Sequence, residues 1–156
     1  MTNFNEHALE MSIMQLFKEQ GYTYISGDQI HRERTEVLLA DDLKQYLYSR
    51  YAKDGITPSE VESIVLMLRN TSGTLYEANK AIYKMLCDGF IFNREDRTQK
   101  DIFIELIDFE NPENNIFKAV NQFEIVGMNN QMRIPDGIVF VNGIPVVVLE
   151  FKSAIK

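Results

Sequence analysis

Residues 133–152 read Arg-Ile-Pro-Asp-Gly-Ile-Val-Phe-Val-Asn-Gly-Ile-Pro-Val-Val-Val-Leu-Glu-Phe-Lys, and the rest of the chain is interpreted around them. Two apolar segments meet at Asn142-Gly143, a dipeptide that strongly favours a tight turn between antiparallel strands. The second segment is apolar from Ile144 to Leu149, so we expect it to lie deep in a covered sheet. Glu150 and Lys152 follow, and side-chain alternation directs both charges to one face of the strand.

A third charged residue, Asp136, stands at the start of the first strand and comes near Glu150 and Lys152 once the hairpin folds. Burying an unpaired carboxylate or ammonium group is costly, so charges that end an apolar strand need an explanation. One acid, a hairpin and an acid-x-lysine triplet suggest a metal-dependent phosphodiesterase site. The alternative is a structural ion pair at the end of the sheet, because such triplets are frequent and usually stabilise by less than about 1 kcal/mol.

The register of the hairpin provides an internal check on this site. A strict two-residue turn places Asp136 opposite Leu149, so that Glu150 faces the other side of the sheet and cannot share a metal ion with Asp136. A three-residue loop, or one bulge at Gly137 or Gly143, would place the two acids on one face. We therefore predict such an irregularity in this hairpin.

The composition is that of one ordinary globular domain spanning residues 1–156. The chain is 45% hydrophobic and 25% charged, and its length is sufficient for one core. The single Cys87 excludes an internal disulfide framework and is expected to be a buried small hydrophobe. No secretion signal or membrane-span pattern is found, so we expect a cytoplasmic protein without membrane contact. The net charge of −7 predicts weak DNA binding by the chain alone.

The first helix is predicted from residue 5 to about residue 20, and it carries two acids near its apolar stripe. Glu6 falls inside the stripe, but it lies three residues after Asn3, where it favours the helix dipole and could act as a cap. Glu10 lies too far into the helix to cap it. It is either a solvated flank of the stripe or, as we prefer, a contributor to an active site.

The middle of the chain is predicted to be helical and the last third to be strands. Capping boxes at Thr57-Pro58-Ser59-Glu60 and Thr74-Leu75-Tyr76-Glu77 start two helices, the second with an apolar stripe running to Leu86. Strands are expected over 102–109 and 117–126, before the terminal hairpin. Because a central strand cannot be the last element of a finished sheet, we expect the chain to be the front end of a longer polypeptide.

Several stretches resemble a known family, and together they cover nearly the whole chain. The hairpin with Pro135-Asp136 and Glu150-Phe151-Lys152 resembles the PD-(D/E)xK nuclease superfamily, which has the restriction-endonuclease-like fold. That fold is α/β, a mixed sheet flanked by helices, and here it would be incomplete at the C-terminus. More narrowly, the chain is similar to the N-terminal endonuclease domain of the type I restriction enzyme R (motor) subunit. The stretches that carry the narrower resemblance are Glu6 to Tyr24, the turn Leu106-Ile107-Asp108-Phe109-Glu110-Asn111-Pro112-Glu113-Asn114-Asn115, and Val120-Asn121-Gln122-Phe123.

The resemblance implies roles for the residues at the end of the hairpin. Asp136, Glu150 and the backbone carbonyl of Phe151 would bind Mg²⁺, or Mn²⁺, which prefer oxygen ligands. Lys152 would orient or deprotonate the attacking water, or stabilise the charge that develops on the phosphate.

The resemblance also implies a further metal ligand. Glu10 lies eleven residues before Gly21, where related resolvase-like nucleases place a helix acid that completes the metal site. Glu6 remains the alternative for this role.

The resemblance further implies partners. The substrate would be double-stranded, unmodified foreign DNA. Target recognition and DNA methylation would belong to the specificity and methyltransferase subunits of the restriction complex. ATP would act only through translocase domains that lie outside this sequence, as does the family's Gln-x3-Tyr element. Two alternatives are a free-standing resolvase or Mrr-like nuclease, and a catalytically silent domain that keeps the fold for subunit docking.

Overall fold

The computed structural model describes residues 6–127 and 130–152, and these form two compact units. The first unit contains the described residues of 6–39 and 116–152, and the second is Ala40–Asn115. That residues 1–156 make one domain stays a prediction. The helices are α1 (Glu6–Glu19), α2 (Ala40–Tyr51), α3 (Pro58–Arg69) and α4 (Leu75–Asp88), and the strands are β1 (Thr23–Ser26), β2 (Phe90–Phe92), β3 (Ile102–Ile104), β4 (Phe117–Asn121), β5 (Ile125–Val126), β6 (Met132–Arg133), β7 (Gly137–Val141) and β8 (Ile144–Leu149).

The first unit is built on a mixed four-stranded sheet with the order β1-β4-β7-β8. β1 runs parallel to β4, whereas the β4–β7 and β7–β8 pairs are antiparallel. Helix α1 packs on β1 and β4. The α/β class predicted from the sequence is therefore confirmed. Buried apolar side chains lie against the sheet in a cluster of Leu39, Val120, Phe123, Ile138 and Phe140.

The terminal hairpin has the predicted irregularity, but at a different place. Val141 pairs with Ile144 across a two-residue turn, in which Asn142 and Gly143 both have positive φ as a tight hairpin requires. The register then shifts between Val139 and Phe140, so that Gly137 pairs with Leu149. The bulge thus lies within β8, and the expectation of a bulge at either glycine, or of a three-residue loop, was wrong.

Strand β8 does not lie deep in a covered sheet, contrary to expectation. Within the described residues it is the edge strand, and the exposed fractions of Val146, Val147 and Val148 are 41%, 45% and 61%. An apolar run shows that a strand suits burial, but it does not show which other elements cover that strand. Among the described residues, β8 has a neighbouring strand, β7, on one side only.

Two other predicted strands are shorter than expected. The segment 117–126 is interrupted because Gln122 adopts φ 52, which ends β4 at Asn121. The segment 102–109 is strand only over Ile102–Ile104 and then enters a turn.

The second unit contains α2, α3 and α4 together with the antiparallel pair β2–β3. The capping boxes at Thr57 and Thr74 are both present. Helix α4, however, has no buried residue, and Leu75 at its start is 73% exposed. The rest of its apolar stripe, Ala78, Ile82, Met85 and Leu86, is half-buried. The expectation that Cys87 is buried was wrong, because Cys87 is exposed. Helical spacing identifies an apolar face without providing an element to cover it.

No helix in the described ranges is long and apolar enough to cross a membrane.

Candidate functional site

The structure brings Asp136 against the end of β8. Asp136 lies in a bend just before β7, and its Oδ2 accepts a hydrogen bond from the Phe151 N–H at 2.6 Å. The bulge makes this possible, because continuing the register from the Gly137–Leu149 pair places Asp136 opposite Glu150. The paired positions themselves end at Gly137 and Leu149, and a shared metal site at the two acids stays a prediction.

The other two residues of the predicted triplet point towards solvent. β8 ends at Leu149, and the side chains of Glu150 and Lys152 are exposed. Within the described part of the chain no ion pair joins them. Phe151, between them, is half-buried and is held to Asp136 through its backbone.

Glu10 is a buried acid rather than a solvated one. It is 6% exposed, and its Oε1 accepts hydrogen bonds from Asn121 Nδ2 at 2.8 Å and from Gln122 Nε2 at 3.1 Å. Its other oxygen, Oε2, lies 3.8 Å from His7 Nδ1. The interpretation of Glu10 as a solvated flank of the helix was wrong, because the helix turns this acid towards β4.

Glu6, the alternative acid, is exposed in the first turn of α1. The proposed cap partner Asn3 lies outside the described residues.

A tyrosine orients the Asn121 amide. The Tyr24 hydroxyl donates a hydrogen bond to Asn121 Oδ1 at 3.0 Å, which leaves the Asn121 amide nitrogen to face Glu10. The ring of Tyr24 in turn lies under Lys18 Nζ, 4.6 Å from the ring centroid. From the sequence, Asn121 and Gln122 were noted only as part of a stretch that resembles the family. No local sequence signal predicts that their amides donate hydrogen bonds to the carboxylate of Glu10.

Glu10 and Asp136 lie at the same end of the sheet. Val120 pairs with Ile138, so the end of β4 adjoins the start of β7. Met14 lies one helical turn after Glu10, and a Cβ at Gly137 would meet its methyl carbon at 2.7 Å. The helix face that carries Glu10 therefore covers the residue next to Asp136.

The acids are nevertheless not gathered into one cluster. Among residues 6–127 and 130–152, no three His, Cys, Asp or Glu side chains lie close enough together to hold one metal ion. The site residues instead form two groups: Glu10 with Asn121 and Gln122, and Asp136 with the Glu150-Phe151 segment. The second group could offer a metal ion the carboxylates of Asp136 and Glu150 and the backbone carbonyl of Phe151. Because all of these ligand atoms are oxygens, they suit Mg²⁺ or Mn²⁺.

The first unit is thus an α/β module that places acidic side chains at one end of a mixed sheet. Over residues 3–156 the chain matches the family described as type I restriction enzyme R protein N terminus, and it belongs to that family. The family resemblance drawn from the sequence is confirmed.

Two relatives match almost the whole chain. It is 33% identical over 158 residues to the putative type I restriction enzyme MjaIXP endonuclease subunit of Methanocaldococcus jannaschii, covering 95% of this chain and 15% of the relative. It is 32% identical over 162 residues to the type I restriction enzyme HindI endonuclease subunit of Haemophilus influenzae, covering 97% of this chain and 15% of the relative. The chain therefore spans about 15% of the length of these relatives.

Proposed function

We propose that this chain is the nuclease region of a type I restriction enzyme R subunit and that it hydrolyses phosphodiester bonds of double-stranded DNA with Mg²⁺. The observation that carries the proposal is the contact between Asp136 and the Phe151 N–H, together with the bulge that sets Asp136 opposite Glu150. A scaffold would not need an acid held at this point of the hairpin, whereas a metal site needs its carboxylates on one side of the sheet.

The described residues allow a division of roles. Asp136 has one oxygen fixed by the Phe151 N–H, so its second oxygen can be directed to a metal ion. Glu150 and the Phe151 carbonyl would supply further ligands, and Glu10 would approach from the helix side. The bound ion would polarise the phosphate and lower the pKa of a water molecule. Lys152, which is exposed, would orient that water or stabilise the charge that develops on the phosphate.

The proposal includes a larger complex. With a net charge of −7, the chain has little means of neutralising DNA phosphates, so delivery by other parts of the assembly is expected. We infer that ATP-dependent translocation by other domains of the R subunit brings unmodified foreign DNA to this site, in the cytoplasm. Specificity and methyltransferase subunits would select the DNA. A second candidate is a catalytically silent docking domain, which the exposed valines of β8 favour.

The test uses the R subunit that carries this chain, assembled with its partner subunits. Asp136→Asn and Lys152→Met should each lower DNA cleavage by at least about a hundredfold while ATP hydrolysis is unchanged. The first removes the charge of a proposed metal ligand, and the second removes the cation proposed to orient the water or stabilise the phosphate. Asp28→Asn, at an exposed aspartate of the same unit, is the matched control and should cleave normally. Normal cleavage by both site variants would instead support the docking domain.

A further inference from the structure

We propose that Asn121 and Gln122 are positioning residues for Glu10, and that they hold this carboxylate in the orientation that the metal site requires. The inference rests on the proposed nuclease function. Its central observation is that both amides donate to one oxygen, Glu10 Oε1. The other oxygen, Oε2, lies 3.8 Å from His7 Nδ1.

This arrangement needs an exception to strand geometry. Successive side chains of a strand point to opposite faces, so Asn121 and Gln122 would not meet at one atom in a regular strand. They do meet because Gln122 has φ 52, in the left-handed region that side chains other than glycine seldom adopt. A residue held in this region at the edge of a candidate site suggests that the side chain, and not only the turn, is required there.

The backbone of Gln122 is fixed by a close neighbour. A Cβ built at Gly27 would lie 2.4 Å from the Gln122 carbonyl oxygen, so Gly27 allows the two backbones to approach. The amide of Asn121 is fixed separately, by the Tyr24 hydroxyl on its oxygen. The Asn121 amide and the backbone that carries the Gln122 amide therefore each have a neighbour other than Glu10.

The two donors fit a metal-ligand role better than a purely structural one. A buried carboxylate that only joined α1 to β4 could use both of its oxygens for that purpose. Here both amides donate to one oxygen, whereas the second oxygen lies 3.8 Å from the exposed His7 and accepts from neither amide. Hydrogen bonds that orient a ligating carboxylate in this way commonly change metal affinity by 10-fold to 100-fold when they are removed.

The test measures Mn²⁺ binding by electron paramagnetic resonance in the nucleotide-free R subunit, together with the Mg²⁺ dependence of cleavage. Gln122→Gly is the decisive variant, because glycine adopts φ 52 readily and so keeps the backbone while removing the donor. It should raise the Mn²⁺ dissociation constant, and the Mg²⁺ concentration for half-maximal cleavage, by about tenfold or more. The thermal midpoint should not fall. Asn121→Ala should shift metal binding in the same direction.

The controls separate this inference from the proposed function. Gln20→Ala, at an exposed glutamine that follows α1, should leave metal binding unchanged. Asp136→Asn should lose the Mn²⁺ site altogether. If Gln122→Gly and Asn121→Ala bind Mn²⁺ as the unchanged protein does while Asp136→Asn does not, the positioning role is overturned and the nuclease function stands. If Asp136→Asn retains both Mn²⁺ and cleavage, the nuclease function itself fails.

Discussion

Asp136 takes the place of a strand partner for Phe151: its carboxylate, and not a backbone carbonyl, accepts the Phe151 N–H at 2.6 Å where β8 ends. This contact exists only because β8 contains one residue more than β7 opposes between the turn and its end. Val139 pairs with Val147 and Phe140 pairs with Pro145, which leaves Val146 as the extra residue. With a two-residue turn, the bulge in β8 is therefore what places Asp136 opposite Glu150 and not opposite Leu149.

Inserting one alanine between Val148 and Leu149 should abolish DNA cleavage while the hairpin still forms. The inserted residue takes the place of Leu149 opposite Gly137, and every later side chain of β8 moves to the opposite face. Asp136 would then stand opposite Leu149, and Glu150 would be separated from it by the sheet. The measurement is DNA cleavage by the assembled complex, with circular dichroism to confirm that the secondary structure is kept.

Val147→Ala is the matched control for this insertion, because it shortens an exposed side chain of the same strand without altering the register. It should cleave normally. An insertion variant that folds and cleaves DNA at the normal rate would show that the register of β8 is irrelevant to the chemistry.

Local chemistry was sufficient to predict several elements of this structure. Asn142-Gly143 specified the turn, and the threonines at 57 and 74 specified the starts of two helices, because each signal depends on backbone groups a few residues away. The α/β class followed from these elements. The need for an irregular hairpin was also deduced, since a strict two-residue hairpin would place Asp136 and Glu150 on opposite faces of the sheet.

What local chemistry could not give was the position of the irregularity and the extent of burial. The bulge lies beside Pro145, whose missing N–H cannot take part in a regular ladder, and that signal was available but not used. The positive φ of Gln122 has no comparable signal, because glutamine rarely adopts this region and the close neighbour of its backbone, Gly27, is distant in sequence. Apolar patterns in β8 and α4 indicate faces that suit burial, but the covering element is a property of the tertiary structure.

Gly27→Ala should destabilise the first unit and weaken metal binding together. The new methyl carbon would lie 2.4 Å from the Gln122 carbonyl oxygen, so the backbone of Gln122 must move. We expect a loss of about 1–3 kcal/mol in the free energy of unfolding, as for other overpacked sites. The Gln122 amide should also leave Glu10, which hydrogen exchange and Mn²⁺ binding would both detect.

Gly127→Ala provides the comparison for this variant. Its added carbon would be 3.8 Å from the Gln131 carbonyl oxygen, an ordinary contact, and φ at this glycine is not in the left-handed region. It should unfold at the same denaturant concentration as the unchanged chain. Equal stability of the two variants would mean that the approach of Gly27 to Gln122 relaxes without cost.

Arg94→Met should strongly destabilise the second unit. Arg94 and Glu60 are 4% and 1% exposed, and Arg94 Nε donates to Glu60 Oε1 at 2.7 Å. Burial raises the pKa of Glu60, whereas the hydrogen bonds from Arg94 and from backbone N–H groups lower it. The hydrogen bonds have the larger effect together, so the pKa of Glu60 lies below its usual value. Removing the guanidinium leaves a buried carboxylate without its cation, which typically costs about 3–5 kcal/mol. Urea unfolding measures the loss.

Arg97→Met tests whether loss of charge alone explains the result, since Arg97 is an exposed arginine of the same segment. Its stability should change by less than about 0.5 kcal/mol. The double variant Glu60→Met with Arg94→Met should recover much of the lost stability, because no unpaired charge remains buried. A small effect of Arg94→Met alone would contradict the assignment of this pair as a structural support of the unit.

Asp108→Asn should remove an acid-sensitive contribution to stability. The Asn114 amide donates to Asp108 Oδ2 at 2.8 Å and the Asn111 N–H donates to Oδ1 at 2.9 Å. These hydrogen bonds, aided by Arg50, outweigh the effect of burial and lower the pKa of Asp108. Because the pKa is lower in the folded chain, the unfolded chain binds the proton first as the pH falls.

The stabilisation by Asp108 is therefore complete above the pKa of an unfolded aspartate, about 3.9. It is lost as the pH falls through the lowered folded value. Unfolding by urea, measured from pH 7 to pH 2, should give a free-energy difference between the unchanged chain and Asp108→Asn that is constant near neutrality and shrinks in acid. Asp28→Asn, at an exposed aspartate, should show no such difference. A difference that grew on acidification would reverse the sign of the linkage and require Asp108 to be protonated in the folded turn.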